Sequence, residues 1–133
     1  MRITAHLCVA ACIALPGCAA LAPMGTPNCT SSPCVVNVTV RSCKEVRIEP
    51  HDVQVPRGGG KFVVEWNISG GGPWTFRDPG ITFKGSNDEF EDEGKGSKNY
   101  KWKYKNSKPG RHYYNTHLTD GRVNCDFDPS IMN

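Results

Sequence analysis

Three observations predict an all-β fold for this chain, an antiparallel sandwich of about seven or eight strands. Apolar and polar residues alternate with a period of two through most of the sequence, while helical periodicity is scarce. Clusters of Gly, Pro, Asn and Asp recur between the short apolar runs and mark turns at the spacing of a β-meander. Every Trp, Tyr and Phe lies between Phe62 and Phe127, which places one core in that stretch.

Taken in order, Val36, Val38 and Val40 face one way and Asn37, Thr39 and Arg41 the other. Val46 to Ile48 and Val53 to Val55 are shorter strand candidates, closed by the turn Pro56 to Gly60. The clearest strand is Lys61 to Ile68, where Phe62, Val64, Trp66 and Ile68 point inward. After the Gly70 to Pro73 turn come Trp74 to Phe76 and Ile81 to Phe83, separated by Asp78 to Gly80. Tyr100, Trp102 and Tyr104 alternate with Lys101, Lys103 and Lys105, which puts aromatics and lysines on opposite faces. Arg111 to Leu118 and Val123 to Phe127 complete the set, with breaks at Gly94 to Ser97, Lys108 to Gly110 and Asp120-Gly121.

The N-terminus reads as an address. Arg2 is a sparse basic start, Leu7 to Leu15 is an apolar run too short to span a bilayer, and Leu15-Pro16-Gly17-Cys18 closes it. That quartet resembles the lipobox of bacterial lipoproteins, with Pro16 a less usual occupant. The resemblance implies that Cys18 is diacylated and opens the mature chain. Val9-Ala10-Ala11-Cys12 is a second lipobox-like site with almost no apolar run before it, and Ala20-Leu21-Ala22 resembles an ordinary cleavage site that Pro23 would block. The expected layout is a leader at residues 1–17, a flexible tether at 18–34 and a β-sandwich domain at 35–133. In the tether, Ala, Pro, Gly, Ser and Thr predominate and no aromatic occurs, so little surface can be buried. Ala19 after the lipidated Cys implies, by the same resemblance, an outer-membrane protein facing the periplasm.

Seven cysteines would be awkward for an exported chain, but Cys8 and Cys12 leave with the leader and Cys18 carries lipid. Cys29, Cys34, Cys43 and Cys125 remain, and an oxidising compartment lets all four pair in one of three ways. The pairing expected is Cys29 with Cys34, closing a small loop in the tether, and Cys43 with Cys125, flanking the aromatic body. The formal charge of +3 falls to +2 without Arg2, too near neutrality to suggest nucleic acid or an acidic polymer.

Ile48-Glu49-Pro50, Val53 to Val55, a Gly-rich turn and Val63 to Ile68, followed later by Lys108-Pro109-Gly110 and Arg111 to Asn115, resemble the cupredoxin-like Greek-key sandwich. That resemblance implies the fold and not the copper. Trp74-Thr75-Phe76 stands where the family's strand-end His belongs, and Asn115 and Thr116 stand where its Cys would be. His112, His117, Cys125 and Met132 are copper-type ligands at the wrong spacing, and on one strand the two His side chains point to opposite faces. No metal and no cofactor are therefore expected.

Other constellations fare similarly. Asp88, Glu89, Glu91, Asp92 and Glu93 lack the spaced pattern of a calcium loop and read as a solvated connector balanced by the lysine stripe, with Phe90 pinning it to the body. His51, Asp52 and Ser130 supply the letters of a triad without a strained elbow. Gly58-Gly59-Gly60-Lys61 leads into a strand and lacks the Ser or Thr of a phosphate loop. Asn28, Asn37 and Asn67 sit in sequons that are ordinarily silent in bacteria. No catalytic residues emerge. The function expected is a lipid-anchored, non-enzymatic binding or structural module of the envelope, held to the membrane by lipid and meeting an envelope protein or small ligand. A periplasmic copper or redox protein with a non-standard site is the alternative. Trp74, flanked by Pro73 and three glycines, is the aromatic expected to be exposed, and Trp74 and Phe90 are the candidate contact residues.

Overall fold

The computed structural model describes residues 27–133; the leader, the lipidation candidate Cys18 and the first part of the expected tether lie outside the described residues. Ten strands follow in order: β1 (Cys34–Ser42), β2 (Glu45–Glu49), β3 (Asp52–Gln54), β4 (Phe62–Ser69), β5 (Thr75–Phe83), β6 (Phe90–Lys95), β7 (Asn99–Tyr104), β8 (Arg111–Thr119), β9 (Asn124–Phe127) and β10 (Ser130–Met132). No helix occurs among the described residues. One sheet has the order β2-β1-β4-β7-β6 and the other β3-β10-β8-β5, with β9 also paired to β8.

The alternation read from the sequence orients the strands. Val36, Val38 and Val40 of β1 and Phe62, Val64, Trp66 and Ile68 of β4 are buried, and they share one core with Tyr114, Leu118 and Ile131 of the second sheet. Trp66 and Tyr114 join the two layers: the indole Nε1 donates to the Tyr114 hydroxyl at 2.9 Å and the rings meet edge to face at 5.3 Å. Both groups would be costly to bury alone, so each makes the other's position affordable.

The expected purely antiparallel pairing is corrected. β1 pairs with β4 in parallel, and so does β10 with β3, so both sheets are mixed. Between β1 and β4 the chain passes through β3 in the other sheet and returns in the original direction. Side-chain alternation fixes which face is buried and carries no information on a neighbour's direction.

Three further differences concern extent. Thr75-Phe76 and Ile81 to Phe83 belong to one strand, β5, which Trp74 immediately precedes and whose register against β8 slips between Phe76 and Ile81. Pro79 supplies no N–H to the ladder there, so the pairing yields a bulge instead of a turn. The acidic connector is largely strand: Glu91 and Glu93 of β6 pair with Lys103, and Glu91 also with Lys105. The tether boundary also moves. Asn28 brackets β3, donating to the Asp52 carbonyl and accepting from the Gln54 N–H at 2.8 Å each, and Cys29 N–H donates to the Gln54 carbonyl at 2.9 Å. Two bonds from the Asn28 side chain and one from the Cys29 backbone hold this segment where composition promised nothing.

Both disulfides have the expected partners, Cys29 with Cys34 and Cys43 with Cys125. They sit at opposite ends. Cys34 opens β1, while Cys43 follows its last residue, Ser42, nine residues and about 30 Å further on.

Candidate functional site

The end of the sandwich beyond Ser42, called here the distal pole, is built from hairpin tips. β1 turns into β2 through Cys43 and Lys44, with Lys44 N–H donating to the Ser42 hydroxyl at 3.3 Å. β4 passes to β5 through Gly70 to Trp74, where Gly70 (φ 95°) and Gly72 (φ 139°) occupy backbone conformations that a side chain would strain. Between β8 and β9, Asp120 Oδ1 accepts the N–H groups of Arg122 and Val123 at 2.8 and 2.7 Å. Those two backbone donors, Val123 foremost, hold the Asp120 carboxyl below its ordinary range.

Between these tips lies a groove of about 500 Å³ lined by Arg41, Ser42, Cys43, Lys44, Pro73, Trp74, Asp120 and Val123. Its floor is apolar. Val123 is 49% exposed, whereas Trp74 is only 8% exposed. Trp74 is therefore corrected from an exposed aromatic to a core residue that lines the groove. Arg41 is tied to Glu45 at 2.8 Å. Lys44 is exposed and has no carboxylate within ion-pair distance among the described residues. A second depression of about 340 Å³ on the outer face of β1 and β2 is lined by Arg41, Glu45, Arg47 and Glu49, whose charges satisfy one another.

Phe90, the other contact candidate, is also core. It is 5% exposed and stacks against Phe83 at 3.7 Å and Tyr104 at 4.9 Å. The edge of His112 meets both Phe90 and Tyr104, and burial depresses the imidazole's pKa. Burial pushes the Tyr104 hydroxyl up to about 12. Beside this nest, Glu89 accepts from the Ser107 hydroxyl and from the N–H groups of Ser107 and Lys108. Burial alone would raise the Glu89 carboxyl, but those donors outweigh it and hold the group below its ordinary value.

His112 and His117 do face opposite ways, and Cys125 is spent in its disulfide, so the copper-type ligands are not brought together. Among the described residues no group of three or more His, Cys, Asp or Glu is placed to hold a metal ion. His51, Asp52 and Ser130 do come together, in the wrong order for nucleophilic chemistry. Ser130 donates to Asp52 Oδ1 at 2.6 Å and His51 Nδ1 lies 3.5 Å from the same oxygen, so the carboxylate is central and no base meets the hydroxyl.

One cluster escaped the sequence reading. His117 Nδ1 lies 2.6 Å from Asp126 Oδ1 and its Nε2 lies 2.8 Å from the Thr82 hydroxyl, while Arg77 reaches Asp126 at 2.9 Å. With Nδ1 protonated the ring donates to the carboxylate, while Nε2 meets the Thr82 hydroxyl, a group that can donate or accept, and Arg77 lies 3.3 Å from Nδ1. Hydrogen bonding to His117 is the main cause that lowers the Asp126 carboxyl. The group spans β5, β8 and β9 on an outer sheet face and ties those strands together. Outward alternation on β8 placed His117 on that face, but nothing in the sequence paired it with β5 or β9.

No protein-family model matches the chain, and no curated protein matches it.

Proposed function

We propose that this chain is an exported lipoprotein of the bacterial envelope, lipidated at Cys18, carrying a cupredoxin-like Greek-key sandwich without a copper centre and binding its partner at the distal pole. The observation that carries the reading is the polarity of the domain. The N-terminal segment docks on β3 at the Cys29–Cys34 end, and the apolar groove opens at the Cys43–Cys125 end. A domain tethered at one pole and grooved at the other offers its binding surface away from the bilayer. The passage of the chain between sheets at β2 to β3, β4 to β5 and β7 to β8 supports the Greek-key reading. In the resemblance to cupredoxins, the strand-end position of the missing His is held by Trp74, which lines the groove. Binding by apolar contact thus stands where that family coordinates metal.

Lipidation and localisation are tested together by the intact mass of protein made in its native host and recovered from the outer-membrane fraction. A diacylated chain beginning at Cys18 is expected, and an unmodified start would sink the anchor. Site-specific photo-crosslinkers at Arg122, in the distal hairpin, and at Lys61, near the tethered end, test the polarity in the native envelope. A discrete adduct from position 122 alone is expected, and adducts from position 61 alone would reverse the assignment.

A further inference from the structure

We propose that the distal groove binds a free long-chain acyl carboxylate, with the alkyl chain on the floor of Cys43, Pro73, Trp74 and Val123 and the head group at Lys44. This deepens the preceding proposal and rests on its reading of the groove as the binding site.

Charge gives the first argument. The distal segments 41–45, 70–74, 96–98 and 119–124 contain Arg41, Lys44, Lys98 and Arg122 against Glu45 and Asp120. Of the two carboxylates, Glu45 is paired with Arg41, and Asp120 Oδ1 is capped by two backbone N–H groups. The pole therefore carries a surplus of positive charge beside an apolar floor, which complements an amphiphile with an anionic head.

Backbone accounting gives the second. Asp120 N–H donates to the Val123 carbonyl, Gly121 N–H to the Thr119 hydroxyl, Arg122 and Val123 N–H to Asp120, and Lys44 N–H to Ser42. Two of the three tips, those at Lys44 and at 120–123, thus use these donors internally. An extended peptide, which binds largely through main-chain hydrogen bonds, would bury its own polar groups unpaired against such a floor. An alkyl chain has none to satisfy. The volume of about 500 Å³ lies within the ordinary range for small-molecule sites.

The test is calorimetric titration of the full chain carrying Cys18→Ser, so that no attached lipid competes, with tetradecanoate as probe. Saturable one-to-one binding is expected. Tetradecyltrimethylammonium, of equal chain length and opposite charge, should bind at least about tenfold more weakly. Lys44→Glu should weaken tetradecanoate about fivefold or more, and Val123→Asp should abolish detectable binding. Lys61→Glu, at the other pole, should leave it unchanged. Equal binding of the two amphiphiles, or full binding by both groove variants, overturns the proposal. Preferential binding to phosphatidylglycerol vesicles over free tetradecanoate also overturns it, since the pole would then recognise a membrane surface. Absence of tetradecanoate binding with crosslinks retained at position 122 sinks the ligand and spares the distal-pole reading; loss of those crosslinks sinks the pole itself.

Discussion

The two ends of this sandwich are closed by the same device, a disulfide, and differ in nearly everything around it. At the Cys29–Cys34 pole, buried polar groups are abundant: Glu89 is clasped by Ser107 and Lys108, and Asn106 donates to the carbonyls of Pro56 and Gly60 at 3.1 and 3.0 Å, whereas the Tyr104 hydroxyl and His112 Nε2 beside them are buried with no hydrogen-bond partner among the described residues. His112 sits among stacked rings nearby. At the distal pole, polar groups lie on hairpin tips, the apolar residues line an open groove, and Val123 stays half exposed. One end specifies its loops through an internal hydrogen-bond network. The other keeps rigid tips and leaves the space between them open, which is the arrangement a binding surface needs.

The largest effect that separates the ends is expected from the disulfides. Cys43 and Cys125 are 82 residues apart and Cys29 and Cys34 only five. On a chain-entropy treatment the long loop contributes about 4.5 kcal/mol and the short one about 2 kcal/mol. Replacing Cys43 and Cys125 together by Ala should lower Tm well below that of the Cys29 and Cys34 double variant. The reverse ranking, measured by reversible thermal or urea unfolding, would mean that the docking of Asn28 and Cys29 on β3 matters more than the long-range staple.

Trp74→Ala comes next. The side chain is 8% exposed and packs beneath the distal tips, so its removal should cost about 3 kcal/mol, measured as a shift of the urea midpoint at constant m-value. A loss below about 1 kcal/mol would return Trp74 to the status of a surface contact.

How far these two regions could be read in advance differs as well. The inward set of β1, β4 and β7 followed directly from alternation, because burial on one face of a strand writes a period of two into the sequence. Setting the expected leader aside left four cysteines and three possible pairings, and the one chosen, a small loop and a long-range staple, is the one observed. Trp74 misled because its flanking glycines and Pro73 signal a turn, and a turn signal does not say whether the next side chain folds back under its neighbours. Glu89 misled for the opposite reason. In a run of carboxylates it looks like solvated charge, and only the approach of Ser107 and Lys108 from a distant loop makes burial tolerable. The groove and the Thr82, His117 and Asp126 cluster each draw on three separated segments, so no local pattern contains them.

Acid should probe the Cys29–Cys34 pole through two groups, His112 and Glu89. His112 titrates below its ordinary value, so the unfolded chain takes up a proton first as pH drops through the usual imidazole range, and stability declines there. Glu89 is also depressed, so its contribution is present above the ordinary carboxylate range and is lost as pH falls through its folded value. Glu89→Gln should destabilise by about 2 kcal/mol at neutral pH and flatten the lower, carboxylate part of the acid limb. Measured against pH, an unchanged acid limb in this variant would place the decisive carboxylates elsewhere, with Asp120 and Asp126, both also depressed, as the groups to replace next.

The smallest effect is expected at the two exposed residues of the groove. Lys44 and Val123 are exposed, and Val123 reaches the distal hairpin through backbone bonds that any residue can make, its N–H to Asp120 and its carbonyl from the Thr119 hydroxyl. Lys44→Glu and Val123→Asp should therefore change unfolding free energy by less than about 0.5 kcal/mol. This near-neutrality gives the ligand titrations their meaning, since a variant that loses binding while keeping Tm has lost only surface. A drop above about 1 kcal/mol in Val123→Asp would show instead that the groove floor belongs to the core, and the distal pole would then resemble the Cys29–Cys34 pole in kind.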